Sequence, residues 1–340
     1  MKIICSDGPK VGKADILGKL YKAGMDIIRF NFSHADYTTT EQLITYSREH
    51  CPNLEILQDL QGVKIRVSTQ FNREIKVLPN QQVDFCAEDV YDHVRFDWPN
   101  PLLIPVHFDG DFSLLISAKK MLMKDATMEF QVVESQEKFI RTTVTRGGVI
   151  RARKALNAPG MDRSQLSLTA KDKHDALWGI EHSVDIICLS FVSFSSQIKD
   201  LKDFIKKETK NTRGKMPEIW AKIETKEGVE NFNSILRSVD GIMLGRGDLG
   251  PEVGIYEVPE IQEFLLKKMK TSKKEFIIAT QVLESMTRSP VPNRAELNDI
   301  YSCIKNNATG FMLTAETGIG HYPTLAIDTL RKMIDKYSRK

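Results

Sequence analysis

Three charged side chains near the middle of the chain, Lys222, Glu224 and Asp248, have types and spacing suited to handling negative charge with a metal ion. Lys222 and Glu224 lie two residues apart in the apolar run EIWAKIE at 218–224, so on a β-strand they share one face. Asp248 follows the next apolar run, GIMLG at 241–245. If the two runs are neighbouring strands, the carboxylates meet at one edge, where at about 4 Å they repel by a few kcal/mol at intermediate dielectric. A divalent cation removes that repulsion. Only hard oxygen donors are offered, without His or Cys, so magnesium or manganese fits better than zinc. A lysine beside such a site suits a developing oxyanion. Imine chemistry needs a depressed lysine pKa, and neighbouring carboxylates push it up, which favours charge stabilisation.

Further reactive side chains sit at the ends of other strand-like runs. Arg29, Asn31 and Ser33 close one run, Asp59 the next, Ser190 another, Thr280 a fourth, and Thr314 with Glu316 a fifth. A lone Asp in such a place is more often a helix cap than a catalyst. The joint clustering, with nothing comparable at the opposite ends, points to one site.

Eight strand-like runs would carry these residues: 2–5, 26–32, 54–60, 184–191, 218–224, 241–245, 276–280 and 310–314. Helical periodicity separates many of them, at 13–24, 40–49, 169–182, after 191 to about 208, 259–272, 296–306 and 322–338. Alternating strands and helices predict a parallel sheet closed as a (β/α)8 TIM barrel, whose active site lies at the carboxyl ends of the strands. Between about Val67 and Leu156 the rhythm breaks into REIKVLP, QVDFCA, LLIPVHF, FSLLI, MEFQVV and KFIRTTVT, with no convincing amphipathic helix. This predicts an inserted β-rich, barrel-like lid domain at 68–156, with hairpin turns at Asp109-Gly110 and Gly147-Gly148, and a discontinuous catalytic barrel at 1–67 and 157–340.

The composition narrows the function classes. With 48 basic against 45 acidic residues the formal net charge is +3, too small an excess for a dedicated nucleic-acid binder. No run approaches the roughly 18 apolar residues of a membrane span, and the start lacks a signal peptide's apolar stretch. The five cysteines are an odd number without a CxxC pair and read as free thiols, so a cytoplasmic location is expected. GPKVGK at 8–13 has the wrong spacing for a P-loop, and Ala14 stands where a hydroxyl is required.

The segments RFNFSH (29–34), LQDLQGVKIR (57–66), SFV (190–192), AKIETKEGVEN (221–231), GRGDLG (245–250), ATQVLESM (279–286), RAE (294–296) and AETGIGHYP (315–323) resemble the pyruvate kinase family along nearly the whole chain. The resemblance implies phosphoryl transfer from phosphoenolpyruvate to ADP, giving pyruvate and ATP. Lys222 matches the lysine that stabilises the enolate and the transferring phosphoryl group, and Glu224 and Asp248 match the ligands of magnesium or manganese. Thr280 matches the threonine near the protonated carbon. Arg29 matches a phosphate contact, as do Arg66 and Lys154, the latter on the lid's return strand. The amides of Gly247 and Asp248 match the substrate carboxylate's donors, Pro9, Asn31 and His34 the nucleotide region, and Asp109 a lid aspartate.

Departures from the family pattern carry expectations of their own. Residues matching Asn31, Ser33 and Asp59 bind potassium in many members, which have glutamate where this chain has Lys64. The family's potassium-independent members carry the same lysine, so potassium is not expected to be required. Ser193 replaces a common arginine, Val63 a proline, Ala155 a glycine and Gly245 an alanine. The family usually continues into a C-terminal domain beyond the last barrel helix, so effector control through that domain is not expected, while a homo-oligomer is compatible with the resemblance. Two other readings share the residues: an oxo-acid lyase or aldolase on the same barrel, and a paralogue repurposed for a specialised pathway.

Overall fold

The computed structural model describes residues 1–8, 14–209 and 216–338. Two compact units divide the chain: Met1–Gly62, Ala170–Gly247 and Val258–Lys340 form one, and Val63–Thr169 with Asp248–Glu257 the other.

The first unit is a closed parallel barrel. In chain order its strands are Lys2–Ser6, Ile27–Asn31, Glu55–Asp59, Ile186–Leu189, Glu218–Ile223, Gly241–Gly245, Glu275–Ala279 and Gly310–Leu313. All eight expected runs are therefore strands. They are almost uninterrupted apolar runs because each is covered on both faces, inward by the barrel interior and outward by helices. The interior holds Ile4, Ile27, Leu57, Ile186, Cys188, Trp220, Met243, Ile277, Ala279 and Met312. Two residues further along several of these strands, on the same face, the inward position becomes polar: Ile27 is followed by Arg29, Leu57 by Asp59, Cys188 by Ser190, and Trp220 by Lys222. The chemical layer thus sits directly on the apolar plug.

The expected helices appear within a few residues, the last running Pro323–Tyr337. Short helices at Lys226–Glu230, Phe232–Ser238 and Ala315–Gly318 have too few turns to show a 3.6-residue period and were not expected, and a further short helix spans Arg246–Val253. Local capping sets several starts. Asp36 accepts from the Thr39 amide at 2.9 Å, and Asn293 and Glu296 form a reciprocal capping box.

The second unit contains a closed seven-stranded barrel, in the order Phe139–Arg146, Gln82–Ala87, Leu103–His107, Ile65–Val67, Ala155–Asn157, Lys120–Met123 and Met128–Gln136. Its core includes Phe85 and Phe130, edge to face at 5.4 Å. The borders differ from those expected at 67/68 and 156/157. Ile65–Val67 pairs with both Ala155–Asn157 and Leu103–His107, so these flanking segments are built into the second barrel. Four local expectations also fail. A two-turn helix, Glu88–Val94, interrupts the β pattern. FSLLI contains a 3-10 helix, Phe112–Leu115, because Asp111 caps it through the Ser113 amide at 2.9 Å, and Asp109-Gly110 leads into that helix instead of a hairpin. At Gly147 the chain leaves one sheet for another, since Gly148–Ile150 pairs with Ile75–Val77. All five cysteines are free, as expected, and all five are buried.

Arg163 meets Glu252 at 2.8 Å with both side chains almost completely buried, and Asn157 donates to the same carboxylate at 3.3 Å. Arg163→Met is expected to lower stability by about 3–5 kcal/mol, because it strands a buried carboxylate. Adding Glu252→Leu should restore most of that loss. Urea unfolding of the two variants checks both statements.

Candidate active site

Asp59 ends the third barrel strand inside a ring of donors. Its Oδ2 accepts from Arg29 Nε at 2.7 Å, and its Oδ1 lies 3.1 Å from Lys222 Nζ and 3.1 Å from Ser190 Oγ. Lys222 Nζ is also 3.3 Å from Glu224 Oε1. Arg29 donates its Nη1 to Ser6 Oγ at 2.7 Å. The four charged groups of this cluster, two positive and two negative, are all buried.

The electrostatics follow from burial and pairing. Burial alone would lower the Lys222 pKa, but the carboxylates of Asp59 and Glu224 outweigh it and hold the ammonium well above the ordinary lysine range. For Asp59 burial works upward, and Lys222 and Arg29 more than offset it, so the carboxylate stays below its usual range. Arg29 is likewise raised, since burial is outweighed by Asp59.

Two glycines make room. Gly62 has φ +66° and a Cβ there would stand 2.6 Å from the Ser190 carbonyl oxygen; Asp172 accepts its amide at 3.0 Å. At Gly245 a Cβ would lie 2.5 Å from Glu224 Oε1, so the carboxylate occupies space that any side chain would take. Glu224 Oε2 accepts from the Phe191 amide at 3.0 Å.

Thr280 follows the seventh strand in a left-handed conformation at φ +67°, unusual for a β-branched residue, and Gln281 continues it at +52°. Arg246 clamps this kink. Its Nη2 donates to the Thr280 carbonyl at 2.7 Å and the Gln281 carbonyl at 3.0 Å, while its Nη1 binds Asp299 and Gln262. Thr280 Oγ1 accepts from the Gly247 amide at 2.8 Å. That amide lies in the first turn of Arg246–Val253, where backbone donors lack helical partners.

The barrel unit therefore brings together Arg29, Asp59, Ser190, Lys222 and Glu224, and separately pairs Gly247 with Thr280. Asn31, Ser33 and His34 form a local turn in which Asn31 Oδ1 accepts from the Ser33 amide at 3.2 Å and the Asn31 carbonyl from the His34 amide at 3.0 Å. Glu316 is fully buried and fixes loops, accepting from the amides of Leu283 at 2.9 Å and Thr314 at 2.8 Å. Pro9, like most of the GPKVGK segment, lies outside the described residues.

The remaining expected residues belong to the second unit. There Lys64 Nζ stands 3.7 Å from Asp248 Oδ1. Arg66 donates to the Arg153 carbonyl at 3.3 Å, and burial lowers its pKa against the opposing pull of Asp248. Burial first, then Lys124 and Arg151, lowers Lys154. Asp109 Oδ1 lies 3.6 Å from His107 Nε2.

Sequence reasoning missed Ser6 and Asp7 at the end of the first strand, although the strand-end rule applied to 2–5 points at them. Asp7 accepts from the Asn31 amide at 3.4 Å, and burial pushes its carboxyl up to about 6 despite the opposing field of Arg29.

Among the described residues no three His, Cys, Asp or Glu side chains gather closely enough to enclose a metal ion. Glu224 in the first unit and Asp248 in the second each offer hard carboxylate oxygens, the donor type that suits magnesium. No described helix is long and apolar enough to cross a membrane.

Comparison with known proteins adds an independent observation. A family model described as pyruvate kinase, barrel domain, matches residues 1–327. A pyruvate kinase of Geobacillus stearothermophilus is 34% identical over 338 residues, covering 98% of this chain and 56% of its own length. One from Thermotoga maritima is 33% identical over 343 residues, covering 100% and 71%, and pyruvate kinase 1 of Saccharomyces cerevisiae is 33% identical over 335 residues, covering 96% and 65%. The chain thus spans a little over half the length of the Geobacillus relative, and within that span a barrel-rim ion cluster and a family match over residues 1–327 lead to one conclusion: it belongs to the pyruvate kinase family.

Proposed function

We propose that this chain transfers a phosphoryl group from phosphoenolpyruvate to ADP, forming pyruvate and ATP. The observation that carries this reading is the Lys222 ammonium, held charged within 3.1 Å of Asp59 and 3.3 Å of Glu224 at the barrel rim, with Arg29 on the other oxygen of Asp59. Phosphoryl transfer needs positioning and charge neutralisation more than covalent help. Lys222 stabilises the enolate left when phosphorus departs, and Arg29 contacts the transferring group. Magnesium or manganese, held by Glu224 and Asp248, would supply further neutralisation of phosphate charge. Thr280, through water, delivers the proton to the enolate carbon, and the Gly247 and Asp248 amides receive the substrate carboxylate once Thr280 Oγ1 yields the former. Asn31, His34 and Pro9 serve the nucleotide, and Arg66 and Lys154 contact phosphate from the lid. The site works without potassium, Lys64 supplying the charge. A lyase forming an imine is disfavoured because Lys222 is held protonated.

With purified protein, phosphoenolpyruvate, ADP and magnesium in a lactate dehydrogenase-coupled assay, Lys222→Met is expected to lower turnover at least about 100-fold. Potassium chloride at constant ionic strength should change the wild-type rate less than about tenfold. Wild type without pyruvate above background would sink the kinase reading, and a larger potassium response would sink the role of Lys64.

Asp7 provides a pH test of the Arg29 role. Its carboxyl is neutral below about pH 6 and ionised above, where it adds negative charge beside Arg29. Asp7→Asn should therefore lower KM for phosphoenolpyruvate several-fold at pH 7.5 and much less at pH 5.5. Equal ratios at both pH values would contradict a shared field on the substrate.

A further inference from the structure

Ser193 is fully buried, and the proposed reaction gives it no role. It lies in the loop between the fourth barrel strand and the helix Ser195–Glu208. Two residues earlier, Phe191 holds a left-handed backbone at φ +55°, a conformation that a bulky residue keeps only when its surroundings enforce it.

The enforcing contacts act at both ends of Phe191. On one side its amide donates to Glu224 Oε2 at 3.0 Å. On the other its carbonyl accepts from Ser193 Oγ at 3.3 Å. The Ser193 hydroxyl also lies 2.9 Å from Thr225 Oγ1, which itself accepts from the Gly228 amide at 3.0 Å. A carbonyl oxygen can only accept, so the Ser193 proton goes to Phe191 and the Thr225 proton goes to Ser193. The chain of donation runs from Thr225 through Ser193 to the Phe191 carbonyl. Ser193's own backbone is pinned as well: its amide donates to Gln197 Oε1 at 2.8 Å, and its carbonyl accepts from Asn231 Nδ2 at 3.0 Å.

We propose that Ser193 is a positioning residue for Glu224, holding Phe191 in the conformation that aims its N–H at Glu224 Oε2 and so orienting the carboxylate toward a divalent cation. Thr225 shares the task, since it orients the Ser193 hydroxyl. The inference rests on the reading of Glu224 as a ligand of that cation. A hydroxyl that merely satisfied the core would contribute to stability and leave cation affinity unchanged.

The test is Mn2+ binding to the full chain, followed through the electron paramagnetic resonance signal of the free ion, with no substrate present. Ser193→Ala should raise the Mn2+ dissociation constant about 5- to 30-fold, while turnover at saturating Mn2+ stays within about threefold of wild type. Ser193→Thr, which keeps the hydroxyl, should recover most of the affinity. If the alanine variant does not fold by circular dichroism, Ser193→Cys keeps the shape with a weaker donor and must shift affinity in the same direction. Glu224→Gln separates the two ways of failing. If it weakens Mn2+ binding at least tenfold while the Ser193 variants bind like wild type, the positioning role is overturned and the reading of Glu224 stands. If Glu224→Gln leaves Mn2+ binding unchanged, the reading of Glu224 falls and the positioning role with it.

Discussion

The Asp59 carboxylate, shared between the Arg29 guanidinium and the Lys222 ammonium, is the interaction on which the barrel rim depends. An isolated charge in such a buried place is costly, and it persists only when paired and hydrogen-bonded. The cluster meets that condition by matching two cations with two carboxylates and adding hydroxyls from Ser6 and Ser190. The same arrangement keeps Lys222 protonated and tethers Arg29 between Asp59 and Ser6. Removing one member leaves its partners' charges buried with less compensation, so structure and chemistry are coupled at this point.

Backbone strain gathers around the same rim. Phe191, Thr280 and Gln281 all have left-handed backbones just past strand ends. Each is held by side chains from elsewhere in the barrel unit: Phe191 by Ser193 and Glu224, and the Thr280–Gln281 kink by Arg246, which Asp299 and Gln262 hold in turn. Such conformations persist where the surroundings over-determine them, and they commonly mark functional positions. Here they turn the chain sharply from strand to helix while aiming individual amides and hydroxyls inward.

Much of this was legible in the sequence because the barrel's physics writes itself plainly. Strands covered on both faces are unbroken apolar runs, and the period-two rule is enough to place Lys222 and Glu224 on one face. Asp59 was legible as a strand-end acid, but its role as a bridge was not, since the sequence carries no sign of which cations will reach it. Asp7 was missed because the apolar run of the first strand ends at Cys5, two residues short of it. The short helices and the Asp111-capped turn were missed because a two-turn segment shows no period. In the second barrel, register could not be read from alternation: Ile65–Val67 and Ala155–Asn157 have only three residues each, too few to reveal a partner.

The central claim, that Asp59 holds Lys222 charged at the rim, is tested most directly by the proton equilibrium of Lys222 itself. Lysine-labelled protein, with Lys222 assigned through Lys222→Met, can be titrated by NMR as wild type and as Asp59→Asn. The ammonium should remain protonated beyond the ordinary lysine range in wild type and titrate at distinctly lower pH in the variant, because burial then acts against Glu224 alone. A Lys222 titration unchanged by Asp59→Asn would contradict the account.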